Sequence, residues 1–293
     1  MRTLTIIFTL LFSINCYALE TEWHSTEGQE GQIRMITSGH DADGNIMAGL
    51  QFKFKPHWHT YWKHPGETGT PIVLTDTGSH NIKNFEVMWP APKRIITFDI
   101  ESWIYENEVI IPVKITREDN TKEVQASFEV KWAVCNEMCL FEKSSFSLKI
   151  APDYMNSSNF AAIENFLKSV PVKLEASKTK LDSFDILPDK IISQYSSDTQ
   201  FNDSVDLLIA EPSKNFKFPK PEISFSADRK KITVISPYLI LLSGEKLDNK
   251  TLYVTLASGE NSVEFEQLAG GKITVKTSDK LEITTEKKTL KTQ

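Results

Sequence analysis

Val124-Gln125-Ala126-Ser127-Phe128-Glu129-Val130-Lys131-Trp132-Ala133-Val134 is the longest alternating run in the chain. Its apolar members Val124, Ala126, Phe128, Val130, Trp132 and Val134 recur every second residue, with Gln125, Ser127, Glu129 and Lys131 between them. Successive side chains of an extended chain point to opposite faces, so the run puts one face on a core and the other in water. Shorter runs of the same period surround it. Ala48, Leu50, Phe52 and Phe54 alternate with Gly49, Gln51, Lys53 and Lys55, and Val109, Ile111, Val113 and Ile115 are spaced two apart. Phe146, Leu148 and Ile150 form another run. Asp43-Gly44 lies between the runs at 32–37 and 46–55 and is a hairpin signal. Many short strands with turn signals predict an antiparallel β-sandwich over about Gly31 to Ile150.

The pattern breaks after it. Phe160, Ile163, Phe166 and Leu167 share a helical face, Ser157 or Ser158 can cap its start and Pro171 ends it, which predicts a linking helix within 156–171. The stretch 172–200 is polar and charged and reads as the lead-in to a second domain. Runs at Val205–Ala210, Lys231–Ser236, Thr251–Ala257 and Ser262–Gln267 then predict a second, smaller β-sandwich over 172–276. Residues 277–293 are a polar, Lys-rich tail.

The length of 293 residues fits two domains at roughly 100–200 residues each, with the first boundary set at 19–155. Hydrophobic residues are 40% and charged residues 25%, which excludes a collagen-like, coiled-coil or largely disordered chain. The net charge of −6 argues against a nucleic-acid surface. Beyond the first residues no segment approaches the roughly 18 apolar residues of a membrane span. Arg2 is a positive n-region, Leu4 to Ile14 a short apolar run, and Cys16-Tyr17-Ala18 puts small residues before a cut after Ala18. Residues 1–18 thus read as a secretory signal peptide. A lipoprotein reading would anchor Cys16, but Ser13-Ile14-Asn15 lacks small residues just before it. Without Cys16, two of the three cysteines remain, Cys135 and Cys139, in a compartment where disulfides form.

That pair, in Val134-Cys135-Asn136-Glu137-Met138-Cys139-Leu140, follows the longest run and precedes the strand at 144–150, so it sits on a hairpin turn. As a staple, closing so short a loop contributes only about 2 kcal/mol, which a core this size hardly needs. An exposed pair on a tight loop favours redox work instead. Glu137 disfavours a neighbouring thiolate, and no Lys, Arg or His lies between the sulfurs to favour one. A second cluster, His57-Trp58-His59-Thr60-Tyr61-Trp62-Lys63-His64-Pro65-Gly66, is either a structured aromatic loop or, with the sulfurs, a copper site; its spacing matches no compact metal motif. A third, Ile95 to Trp103 with Phe98, Asp99 and Glu101, reads as a loop, either ordinary surface or a cover for a reactive pair. Phosphate loops, nucleophile elbows and zinc-protease motifs are absent, and no cofactor is expected.

Taken in order, His59-Thr60-Tyr61-Trp62-Lys63-His64-Pro65-Gly66 with Gly69, Val87-Met88-Trp89-Pro90-Ala91-Pro92, Val109-Ile110-Ile111-Pro112-Val113, and Cys135 with Cys139 resemble the N-terminal periplasmic domain of the thiol:disulfide interchange protein DsbD. The branch with suppressor-of-copper-sensitivity protein B is the better match. The resemblance covers about 25–150 well and 170–270 loosely. It implies an immunoglobulin-like sandwich in the periplasm of a Gram-negative bacterium. It also implies a Cys135/Cys139 pair that cycles between dithiol and disulfide, with Cys139 joining the partner. Phe98 and Asp99 fall near the family's protective cap loop, and Tyr61 corresponds to an aromatic beside the pair. The implied partners are a membrane-embedded or thioredoxin-like electron donor and a periplasmic thioredoxin-fold acceptor, such as a disulfide isomerase or a cytochrome c maturation thioredoxin. The cysteine spacing is shorter than in the best-known branch. Neither the multi-helix membrane domain nor the terminal thioredoxin domain is found in this sequence, so either a separate protein is the expected donor or the domain has been adapted to another use.

Three functions follow as expectations. The first is a periplasmic thiol-disulfide exchange protein, a protein-disulfide reductase-like electron carrier acting through Cys135 and Cys139. The second is a non-catalytic interaction module with a structural disulfide. The third is a copper-handling protein that uses the cysteines with Met138 or nearby histidines, in keeping with copper tolerance.

Overall fold

The computed structural model describes residues 20–155 and 157–270. The expected signal peptide with Cys16, and the polar tail, lie outside the described residues. The chain forms two compact units. The first takes residues up to Trp89, Lys93–Ile95 and Ser102–Leu167; the second takes Pro90–Pro92, Ile96–Glu101 and the chain from Lys168.

In chain order the first part of the molecule has β1 (His24–Ser25), β2 (Gly31–His40), β3 (Ile46–Phe54), β4 (His59–Gly66), β5 (Val73–Asp76), β6 (Ile82–Val87), β7 (Lys93–Thr97), β8 (Ile100–Glu106), β9 (Glu108–Arg117), β10 (Val124–Cys135), β11 (Cys139–Ile150) and α1 (Ser157–Leu167). They build an immunoglobulin-like antiparallel sandwich. One sheet runs β1-β2-β3-β9-β6 and the other β11-β10-β4-β8-β7, with β5 also on β10. The alternating run is β10, and its apolar set faces the other sheet. Phe52 of β3 meets Trp132 edge-on at 5.6 Å, and Phe85 of β6 meets Phe128 at 5.1 Å. Burying such a side chain stabilises the fold by roughly 1.5–3 kcal/mol. Asp43-Gly44 does turn β2 into β3, with Gly44 at φ 82, where a Cβ is disfavoured. The helix lies on the outer side of the first sheet, where Ile163 packs with Ile36 and Ile110 and is flanked by Met47, Phe166 and Leu167. It is thus packed into the first unit along its apolar face.

The second unit holds β12 (Val172–Lys173), β13 (Thr179–Ile186), β14 (Lys190–Ser197), β15 (Asp206–Ala210), β16 (Phe216–Lys217), β17 (Glu222–Phe225), β18 (Lys231–Pro237), β19 (Leu239–Ile240), β20 (Thr251–Ala257) and β21 (Val263–Leu268). Two four-stranded sheets, β12-β21-β20-β15 and β13-β14-β18-β17, enclose a core with Tyr195, Leu207, Ile232, Val254 and Phe265. Its pairings are antiparallel except β12 with β21. The polar lead-in 172–200 contains two full strands. The reason is visible in β14: its buried face is Ile191, Ser193, Tyr195 and Ser197, so half of the inward positions are serines and the apolar alternation is diluted.

Two stretches read as loops are strands. The aromatic cluster at 57–64 is largely β4, with Thr60 and Trp62 buried on the core side. Residues 95–103 are most of a hairpin, in which Phe98 and Asp99 alone join β7 to β8. Both hold left-handed backbone angles, φ 53 and 61. Two-residue hairpin turns of this kind normally carry Asn-Gly, so Phe-Asp gives no turn signal in the sequence.

Candidate functional site

The cysteines close the β10–β11 hairpin. Cys135 is the last residue of β10 and stands opposite Cys139, the first of β11, and the two form a disulfide. Their exposures differ sharply. Cys135 is 1% exposed, whereas Cys139 lies in the open. Beside Cys139, Met138 is 64% and Phe141 71% exposed, an unusual display of apolar side chains around one sulfur.

Register explains how Cys135 is buried. Trp132 and Val134 are neighbours in sequence but point into the sandwich core. Cys135 and Ala133 point to the opposite, outer face of the sheet, and are covered there by a small cluster of their own with Tyr61 and Ile104, against which Ile95 packs. One edge of β10 is shared by two strands. β5 pairs with Phe128–Lys131, and β4 reaches Cys135 through His59. It is β4, flanked in turn by β8, that brings Tyr61 and Ile104 to the pair.

Tyr61 is 5% exposed, and its hydroxyl lies 4.0 Å from Cys139 Sγ, donating toward a sulfur that has no proton to give. Burial raises the Tyr61 phenol above its ordinary value, so it stays protonated as a donor. Gly69 makes room for it: a Cβ there would come within 2.3 Å of the Tyr61 ring, and its φ is +96. His59, opposite Cys135, touches the Tyr61 ring edge-on at 5.3 Å.

Of the residues singled out in the sequence, the structure brings Cys135, Cys139 and Tyr61 together. Phe98 and Asp99 form the tip of the β7–β8 hairpin and belong to the second unit. There the Lys217 Nζ donates to the Asp99 carbonyl at 3.0 Å and the Lys220 amide to Glu101 Oε1 at 2.7 Å. Phe98 is 94% exposed. His59 belongs to the histidine cluster that the sequence sets beside the sulfurs as a copper site, and it stands opposite Cys135 through strand pairing. Among the described residues no group of three or more His, Cys, Asp or Glu side chains is placed to hold a metal ion. Among them, too, no helix is long and apolar enough to cross a membrane.

The site is thus a β-sandwich with one buried and one open cysteine, disulfide-bonded across the end of a hairpin. Residues 29–151 match the family described as thiol:disulfide interchange protein DsbD, N-terminal. The crystal structure of the N-terminal periplasmic domain of ScsB from Proteus mirabilis superposes with a TM-score of 0.66 at 16% identity, covering 87% of this chain and 99% of that one. At that identity the likeness is one of fold, and its span takes in much of the second unit as well as the first. No curated protein matches the sequence. The first unit therefore resembles the N-terminal domain of DsbD.

Proposed function

We propose that this chain is a periplasmic thiol-disulfide exchange protein that passes reducing equivalents through Cys135 and Cys139 to exported proteins. The observation that carries the reading is the asymmetry of the pair, one sulfur buried and one open among Met138 and Phe141. Exchange needs an accessible sulfur to form a mixed disulfide and a second sulfur within reach to resolve it. A staple has no use for that difference. Cys139 joins the partner, and Cys135 resolves. A membrane-embedded or thioredoxin-like protein supplies the electrons. The acceptor is a periplasmic thioredoxin-fold protein, of the kind that serves disulfide isomerisation, cytochrome c biogenesis or copper tolerance. The exposed Met138 and Phe141 offer it an apolar landing surface. Tyr61 supports the pair, and Phe98 and Asp99 serve as its cap only if the β7–β8 tip leaves the place where Phe98 stands 94% exposed.

The test is trapping in cells. Cys135→Ser accumulates mixed disulfides through Cys139, and Cys139→Ser does not. Equal trapping by both variants, or by neither, refutes the reading.

A further inference from the structure

The row that holds the cysteines does not end with them. Cys139 stands opposite Cys135, Cys135 opposite His59, and His59 opposite Glu106, across four neighbouring strands. Directly opposed residues of antiparallel strands share a face, with Cβ atoms about 4.5–5.5 Å apart. One face therefore carries sulfur, sulfur, imidazole and carboxylate in a line. The His59 ring is half-buried against Tyr61, whose hydroxyl reaches Cys139. Glu106 is itself ion-paired with Lys93 of β7. The titratable and charged groups around the imidazole are Glu106 on β8, Lys93 on β7, Tyr61 on its own strand, Cys135 on β10 and Cys139 on β11. Glu137 lies in the exposed turn between the cysteines.

A thiol must lose its proton before it attacks a disulfide, and Cys135 is buried where water cannot take that proton. Burial holds the His59 imidazole below its ordinary value, while Glu106 pulls it back up. The ring is thus neutral near pH 7, the state in which it acts as a base.

We propose that His59 is the base for the buried half of the pair, taking the Cys135 proton as Cys135 resolves the mixed disulfide on Cys139. This rests on the exchange reading above. The reduced chain starts with two thiols. Cys139, as thiolate, attacks one sulfur of the partner disulfide; a new S–S bond forms, the partner's breaks, and the freed sulfur leaves as a thiolate that takes up the proton Cys139 gave to solvent. Cys135 then gives its proton to His59 and its electron pair to Cys139 Sγ. The bond to the partner breaks, and the partner's second sulfur leaves as a thiolate and receives the proton back from the imidazolium. Two electrons and two protons pass to the partner, and the chain is left as the disulfide. Glu106 is a positioning residue that tunes the imidazole.

The experiment uses the full reduced chain and a limiting amount of dithiobis(nitrobenzoate), a coloured small disulfide. Attack by Cys139 releases one coloured thiolate, and resolution by Cys135 releases the second. In the wild type the second release rises with pH through the His59 titration and then levels. In His59→Gln it is slower by about 10²-fold near neutrality, the lower end for general base catalysis, and climbs with pH without an inflection. The first release is unchanged. Glu106→Gln moves the inflection to lower pH, and this variant carries the test if His59→Gln does not fold. A His59→Gln chain with the wild-type rate and profile overturns the role of His59, as does equal slowing of both releases. A wild-type chain that gives no second release fails differently: it removes the exchange reading itself, and this proposal with it.

Discussion

Two stretches of one strand, β10, do different work. From Val124 to Lys131 its residues alternate between buried and more exposed, as a strand with one face in water should. From Trp132 to Cys135 all four residues are buried, on both faces. On the outer face the first stretch carries polar groups, such as Glu129 paired with Lys143 of β11 at 2.6 Å. The last stretch carries Ala133 and Cys135 under Tyr61 and Ile104. The lesson is that the inner face holds the sandwich together, and the outer face becomes a site only where β4 and β8 supply a second, small core for it.

If that division is right, substitutions at the two stretches separate stability from reactivity. The largest effect falls on the inner face. Phe128→Ala costs about 3–5 kcal/mol by denaturant unfolding, as large-to-small changes in a packed core do, while the folded fraction keeps the wild-type reduction potential. A changed potential would show that the two faces are coupled. Gly69→Ala sharpens the other side of the comparison. It forces strain at φ +96 and pushes on the Tyr61 ring, costing about 1–3 kcal/mol and exposing the reduced Cys135 to faster alkylation. Alkylation at the wild-type rate would mean that Tyr61 does not shield the sulfur. The pair's potential, measured by equilibration with a dithiol buffer, is expected above about −300 mV, the range of labile rather than structural bridges. Phe98→Ala speeds alkylation of the reduced thiols if Phe98 acts as their cap, and an unchanged rate removes it from the scheme. The smallest effect belongs to Lys143→Ala, which breaks an exposed ion pair worth about 0–1 kcal/mol and leaves exchange untouched.

Most of the fold was legible because period two survives wherever the inward positions are apolar, as in β3, β9 and β10. It faded in β14, where serines take inward places, and in the β7–β8 turn, where Phe98 and Asp99 adopt angles their residue types rarely hold. In β4 the aromatics and histidines masked a strand, since Trp62 and Tyr61 are buried on opposite faces and leave no polar side to alternate with. Of the site, the pairing of Cys135 with Cys139 was legible because four positions and an export signal leave few other partners.

The position of Cys135 beside Trp132 and Val134 at a strand end makes it the better buried of the two sulfurs on the sequence alone, but the cause of its burial lies elsewhere. Trp132 and Val134 adjoin Cys135 in sequence, yet their side chains leave through the other face of the sheet. What shields Cys135 is Tyr61 and Ile104, and what stands opposite it is His59, all from strands remote in the chain. The sequence alone determined that β10 is a strand, which of its faces is apolar and that two thiols meet at its end, because these depend on neighbours along the backbone. Only the tertiary structure decided which strand lies beside Cys135 and in what register, because pairing between distant strands is set by the packing of the whole sandwich and leaves no local pattern to read.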